Sequence, residues 1–165
     1  MIVQIRVDDR LVHGQIALVW SKSLQIRHIV VANDKAAKDD TIKSTLAMAV
    51  PNGIKLLVRS VDEAIPFFNS EKAKDVRLFV LTNCVSDALK IAQSCKDVLE
   101  AVNVANVGKF DNVPLSQKKA LLDGFFSASE LEALRKLTEI DGLEVYHQIT
   151  PEKAKESVAK AIENL

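Results

Sequence analysis

The chain has 165 residues, 48% apolar and 27% charged, with 22 basic and 22 acidic side chains and a formal net charge of zero. That is the size of one domain, with enough apolar residues for a core that needs no staples. The balanced charge excludes a partner held by bulk electrostatics, such as nucleic acid or an anionic membrane, but leaves room for a local anion site made of a cation or two and backbone N–H groups.

Apolar runs such as Ile16 to Trp20 are far too short to cross a bilayer. No basic start followed by an apolar stretch marks a secretory signal, so the expected location is the cytoplasm. Cys84 and Cys95 have no Cys or His near them at metal-ligand spacing. They are expected to be reduced thiols in or near the core, and no metal is expected.

Ile2 to Val7, rich in β-branched residues, suits a strand. Gly14 to Leu24 reads as a helix with Ile16, Ala17, Trp20 and Leu24 on one face, and Trp20 is assigned to the core. Arg27 to Ala32 is a short buried strand. Asp39 or Asp40 caps a helix running to about Val50, which Pro51-Asn52-Gly53 breaks.

The cycle then repeats. Ile54 to Val58 is a strand, and Ser60 with Glu63 gives a capping box for a helix from Val61 to Asn69. Val76 to Leu81 is a strand, Ser86 to Cys95 a helix and Ala101 to Val104 a strand. Val113 to Leu122 holds one or two short strands. Ser127 and Glu130 open a helix to Ile140, stopped by Gly142. Leu143 to Ile149 is the last strand, and Thr150-Pro151 opens a C-terminal helix with Pro at its first position. Apolar strands alternating with helices imply one open α/β domain over residues 1–165: a mostly parallel sheet with helices on both faces.

Such sheets bind ligands at the carboxyl ends of their strands. The segment there after the first strand is Asp8-Asp9-Arg10-Leu11-Val12-His13-Gly14-Gln15, the stretch densest in functional groups. A helix N-terminus offers unpaired N–H groups and a partial positive charge, and Arg10 adds a two-donor fork for phosphoryl oxygens. Gly14 permits close approach to the backbone. His13 then serves as a nucleophile or as a general acid or base. Asp8 or Asp9 fixes its tautomer through the nitrogen that does not react. A lone loop histidine is more often a surface or capping group, and an Asp-Asp-Arg run is more often a solvated turn.

The run Arg6-Val7-Asp8-Asp9-Arg10-Leu11-Val12-His13-Gly14-Gln15-Ile16 resembles the motif of the enzyme IIB component of the mannose/fructose/sorbose family of sugar phosphotransferase systems. Trp20, Val31-Ala32-Asn33-Asp34, Ala49-Val50-Pro51-Asn52-Gly53-Ile54-Lys55, Thr82-Asn83 and Val102-Asn103-Val104 are similar to later family positions, so the resemblance covers essentially the whole chain. The family often has Gly-Gly-Met where this chain has Ala105-Asn106-Val107, and proline where it has Cys84.

The resemblance implies that His13 accepts a phosphoryl group on Nδ1 from a phosphorylated IIA component. It passes the group to a sugar presented by the membrane IIC and IID components, with which the protein associates peripherally. It also implies that Arg10 binds the phosphoryl oxygens and that no cofactor is used; Asp8, Asp9, Gly14 and Gln15 are expected to orient the site or bind phosphate. Leu11 and Val12 are expected at the rim of the partner surface, with His28 and His147 serving structure or surface. The alternative is a regulatory or binding module of the same fold that senses phosphorylation. A receiver domain is disfavoured, because the third strand ends in Arg59-Ser60 rather than in an acceptor aspartate.

Overall fold

The computed structural model describes residues 1–165. In chain order the first half comprises β1 (Ile2–Asp8), α1 (Gly14–Ser23), β2 (His28–Ala32), α2 (Asp34–Lys38), α3 (Asp40–Ala49), β3 (Lys55–Arg59), α4 (Val61–Phe68) and α5 (Glu71–Lys74). The second half comprises β4 (Leu78–Thr82), α6 (Val85–Ser94), β5 (Ala101–Asn106), β6 (Lys119–Leu121), β7 (Gly124–Phe126), α7 (Ala128–Thr138), β8 (Glu144–His147), β9 (Glu156–Ser157) and α8 (Val158–Glu163).

The main sheet has the order β3-β2-β4-β1-β5-β8-β9. Every pair in it is parallel except the short β8–β9 pair at one edge. Strands β6 and β7 form a separate antiparallel hairpin. One face of the sheet, with Ile2, Ile5, Val7, Val102 and Val104, is packed by α4, α6, α7 and α8. The other, with Val3, Ile29, Val31, Phe79 and Leu81, is packed by Trp20 and Ala17 of α1, Ala36 of α2 and Leu46 of α3. Two covered faces explain why the strands are apolar throughout.

The expected caps form where a short polar side chain precedes an apolar helix. Asp39 accepts from Thr41 and Ile42 N–H, Ser60 from Glu63 N–H and Ser127 from Glu130 N–H. Two local details differ from the reading above. Asn33 caps an additional helix, α2, through Ala36 N–H. Glu130 turns away from its own helix and accepts the Val85 N–H at 2.6 Å and the Ser86 N–H at 3.1 Å, so α7 supplies the cap that Cys84 does not give α6. The hairpin has one strand inside the expected 113–122 window and its partner just beyond it.

The expected helix at Pro151 is a correction: helix begins only at Val158, capped by Ser157. The preceding segment is claimed by the sheet. Gln4, Arg6 and Asp8 alternate with Ile5 and Val7, which places them on the α1 face with Asn103, all fully buried. These polar groups need partners away from water. Gln148 carbonyl accepts from Arg6 and Asn103, and the Gln148 side chain donates to the Pro151 and Lys153 carbonyls. Carbonyls committed in this way are unavailable to a helix ladder.

The chain leaves β1 toward the β2 side and leaves β5 toward the β8 side. The carboxyl ends of β1 and β5 therefore flank the topological switch point, where open α/β sheets bind ligands.

Candidate functional site

Asp8 ends β1 at that switch point, paired in register with Asn106 at the end of β5. Its carboxylate organises the turn that follows. Asp8 Oδ1 accepts the Arg10 N–H at 3.1 Å, and the Asp8 carbonyl accepts the Leu11 N–H at 2.9 Å. Leu11 takes a left-handed conformation, φ 56°, which costs a non-glycine residue about 1–2 kcal/mol. Burial of Leu11 and Val12 in the core on the α1 face offsets that cost. The turn delivers His13 as the N-cap of α1, φ −143° and ψ 131°.

The other oxygen of Asp8 holds the ring. Asp8 Oδ2 lies 3.1 Å from His13 Nε2, and the His13 side chain is 21% exposed. A carboxylate only accepts, so Nε2 carries the proton and Nδ1 presents its lone pair. Asn106 Nδ2 donates to the same Asp8 oxygen at 3.3 Å. Behind Asp8 lies Arg6, fully buried, 3.4 Å from Oδ2 and 5.5 Å from the Trp20 ring centre. Burial lowers the Arg6 guanidinium from its usual range, opposed by the Asp8 charge. For Asp8, burial pushes the carboxyl upward. Hydrogen bonds from His13 and the Arg10 N–H, with the Arg6 charge, outweigh it and hold the carboxyl below the usual carboxylate range.

The ground in front of His13 suits an anion. No side chain caps α1 and no acidic residue stands in its first turn. A Cβ built on Gly14 would meet nothing within 4 Å, so the helix start is open. Arg10 is half exposed, with Nε 3.9 Å from Asp8 Oδ1, and its guanidinium makes no hydrogen bond within the chain. Gln15 is exposed beside Gly14. The helix N–H groups, the positive end of the helix dipole and a guanidinium without hydrogen bonds are thus borne by the same short turn as His13.

A model of the sorbose-subfamily IIB component of the phosphotransferase system matches residues 2–164. The chain belongs to that family. It is similar to a probable phosphotransferase enzyme IIB component of Streptococcus pyogenes serotype M6, 48% identical over 163 residues, which are 98% of this chain and 99% of that one. It is also similar to the sorbose-specific EIIB component of Lacticaseibacillus casei, 40% identical over 76 residues, 46% of either chain. The IIB domain of the sorbose permease from Klebsiella pneumoniae shares the fold, with a TM-score of 0.87 at 24% identity over 99% of this chain and 97% of that one. As a IIB component the protein is a phosphocarrier that transfers phosphate to sugar.

In this IIB component the predicted site residues separate into two groups. Asp8, Arg10, His13 and Gly14 converge on one spot, with Gln15 beside it. Asp9 turns instead to the loop after β5, accepting the Gly108 N–H at 3.1 Å and the Lys109 N–H at 2.7 Å. Burial pushes the Asp9 carboxyl up, against the pull of those N–H groups. Leu11 and Val12 are a correction: at 8% and 5% exposure they are core and not rim. The large exposed apolar side chains of the loop after β5 are Phe110 and Leu115.

Sequence reasoning missed Arg6 and Gln148 and left the part played by the Ala105-Asn106 loop open; Asn106 proves to bond Asp8. Arg6 carried a signal, a charge two residues before Asp8 inside a strand and hence on its face. Gln148 carried none, since it reaches the site only through the β5–β8 pairing.

Proposed function

We propose that His13 is the phosphoryl carrier of this IIB component and that it reacts through Nδ1. The Asp8 Oδ2–His13 Nε2 contact of 3.1 Å is the observation that carries this reading, because it leaves Nδ1 as the nucleophile. The donor is a phosphorylated IIA component. As the phosphorus–nitrogen bond to the donor histidine breaks, a bond forms to His13 Nδ1, and the ring becomes a cation with its proton still on Nε2. Asp8 stabilises that cation at no cost in rearrangement.

Arg10 and the N–H groups of Gly14 and Gln15 hold the phosphoryl oxygens and neutralise their charge during transfer. In the second step a sugar hydroxyl presented by the IIC and IID membrane components attacks phosphorus. Neutral His13 leaves, and the hydroxyl proton passes to a base on the acceptor side or to water. No helix of the chain is long and apolar enough to cross a membrane. On this reading the protein works at the cytoplasmic face, docking on the permease for the second step.

The test is incubation with phosphoenolpyruvate, the general phosphotransferase proteins and a mannose-family IIA component, followed by intact mass. The expected result is a gain of one acid-labile phosphoryl group that His13→Ala abolishes. No gain, with a IIA that phosphorylates another IIB, would remove the carrier assignment.

A further inference from the structure

The segment from Val107 to Lys118 leaves β5 next to the proposed carrier histidine and is braced from inside. The Asp9 carboxylate holds the Gly108 and Lys109 N–H groups. The Lys118 side chain, 1% exposed, donates to the Gly108 carbonyl at 2.6 Å and pairs with Asp111. Asp111 in turn accepts the Val113 N–H at 3.0 Å. Gly108, at φ 82°, lies so close to β7 that a Cβ there would stand 1.7 Å from the Phe125 carbonyl oxygen. Three charged side chains, Asp9, Asp111 and Lys118, and a glycine are thus devoted to fixing one loop shape.

That shape leaves Phe110 71% exposed and Leu115 58% exposed. A single exposed apolar side chain is ordinary. Two on one braced loop that leaves β5 beside Asp8 match the apolar centre of a transient protein interface. The charges around them choose between partners. Asp111 is paired with Lys118, Asp123 accepts from His147 and Asp9 is spent on the loop's own N–H groups, while exposed Lys109 and Lys119 form no ion pair and Arg10 reaches only Asp8, at 3.9 Å. The unpaired excess is cationic. Of the two molecules that must reach His13, the donor arrives carrying the phosphoryl charge and the sugar arrives neutral.

We propose that the Val107–Lys118 loop is the docking surface for the phosphoryl-donor protein, with Phe110 as its apolar anchor and Arg10 and Lys109 facing the donor's charge. This rests on the carrier reading given above. Phe110 acts on encounter and touches neither reacting nitrogen, so it governs half-saturation by the donor and not the chemical step.

The experiment measures initial rates of transfer from purified phosphorylated IIA to the full chain, wild type and Phe110→Ala, across IIA concentrations. In parallel, each protein is first fully phosphorylated and then mixed with membrane vesicles containing the permease and its sugar. Matching thermal midpoints verify that the variant is folded. The expected result is a KM for phosphorylated IIA raised about tenfold or more with kcat within about twofold, and delivery to sugar at the wild-type rate. An unchanged KM overturns the proposal, as does an equal loss in both half-reactions, which would give the loop to the permease as well. If wild type itself takes no phosphoryl group, the carrier reading falls and this proposal with it. A phosphorylated wild type matched by the variant overturns the docking surface alone.

Discussion

Asp8 and His13 stand five residues apart in sequence and 3.1 Å apart in space, Oδ2 to Nε2, across a turn that the same carboxylate ties down through the Arg10 N–H. One side chain therefore fixes the loop, the tautomer and the direction in which the ring presents its free nitrogen.

Asp8→Asn is expected to slow phosphoryl transfer at least about a hundredfold, because the amide no longer selects the Nε2–H tautomer or stabilises the cationic ring. Asp8→Ala should also cost about 3 kcal/mol or more in stability, since it leaves Arg6 buried without its counter-charge. The sign with pH follows from the lowered carboxyl. The stability that Asp8 contributes is fully present above its unfolded value, about 3.9, and is lost as pH falls through the lower folded value. Asp9 has the opposite sign: its raised folded value makes ionisation unfavourable for the fold as pH rises from the unfolded value through the folded one. Urea unfolding of wild type and Asp8→Asn along an acid series checks this, and the gap between the two should close below the unfolded value.

Arg10→Ala should reduce transfer about a hundredfold while leaving the thermal midpoint nearly unchanged. Its side chain is 51% exposed and contributes no hydrogen bond to the fold. Rapid-quench rates beside a melting curve separate the two effects. Equal rates with and without the guanidinium would take Arg10 out of the mechanism.

The other two histidines are expected to leave transfer largely intact, for different reasons. His28 is half-buried and makes no side-chain hydrogen bond. His147 is buried, with Nδ1 donating to the Val104 carbonyl at 2.7 Å and Nε2 2.9 Å from Asp123. His147→Ala should therefore destabilise by about 1–3 kcal/mol and still accept a phosphoryl group on His13. His28→Ala should change neither property. Acid-labile phosphate and a denaturation curve on each variant decide the matter.

The folded protein is expected to resist thiol reagents at neutral pH. Burial pushes Cys84 up to about 12 and Cys95 to about 11. The two flank α6, whose ten residues at about 1.5 Å rise hold them far beyond disulfide reach. Mass-detected alkylation should be slow in buffer and should label two sites in denaturant. Rapid native labelling of either would contradict the burial.

Much of the site was legible because its chemistry is local. Asp8, Arg10, His13 and Gly14 lie in seven consecutive residues between a strand and a helix, so sequence adjacency stands in for spatial adjacency. The strands were legible because burial on both faces leaves a continuous apolar run, as in Leu78 to Thr82. What failed depends on distant pairing. Nothing around Pro151 announces that Arg6 and Asn103, far up the chain, consume the Gln148 carbonyl, and a favourable helix composition was overridden. Leu11 and Val12 looked like rim because they flank reactive residues, but the left-handed turn at Leu11 directs both into the core. Glu130 completed a capping pattern in sequence and capped a different helix in space.

On the proposed mechanism Asp8 holds Nε2 of His13 and leaves Nδ1 to react. Nitrogen NMR of protein labelled at histidine, before and after phosphorylation by IIA, tests it most directly. The expected result is a His13 ring with its proton on Nε2 in the free protein and phosphorus bonded to Nδ1 in the product. A proton on Nδ1 in the free protein, or phosphorus on Nε2 in the product, would contradict it.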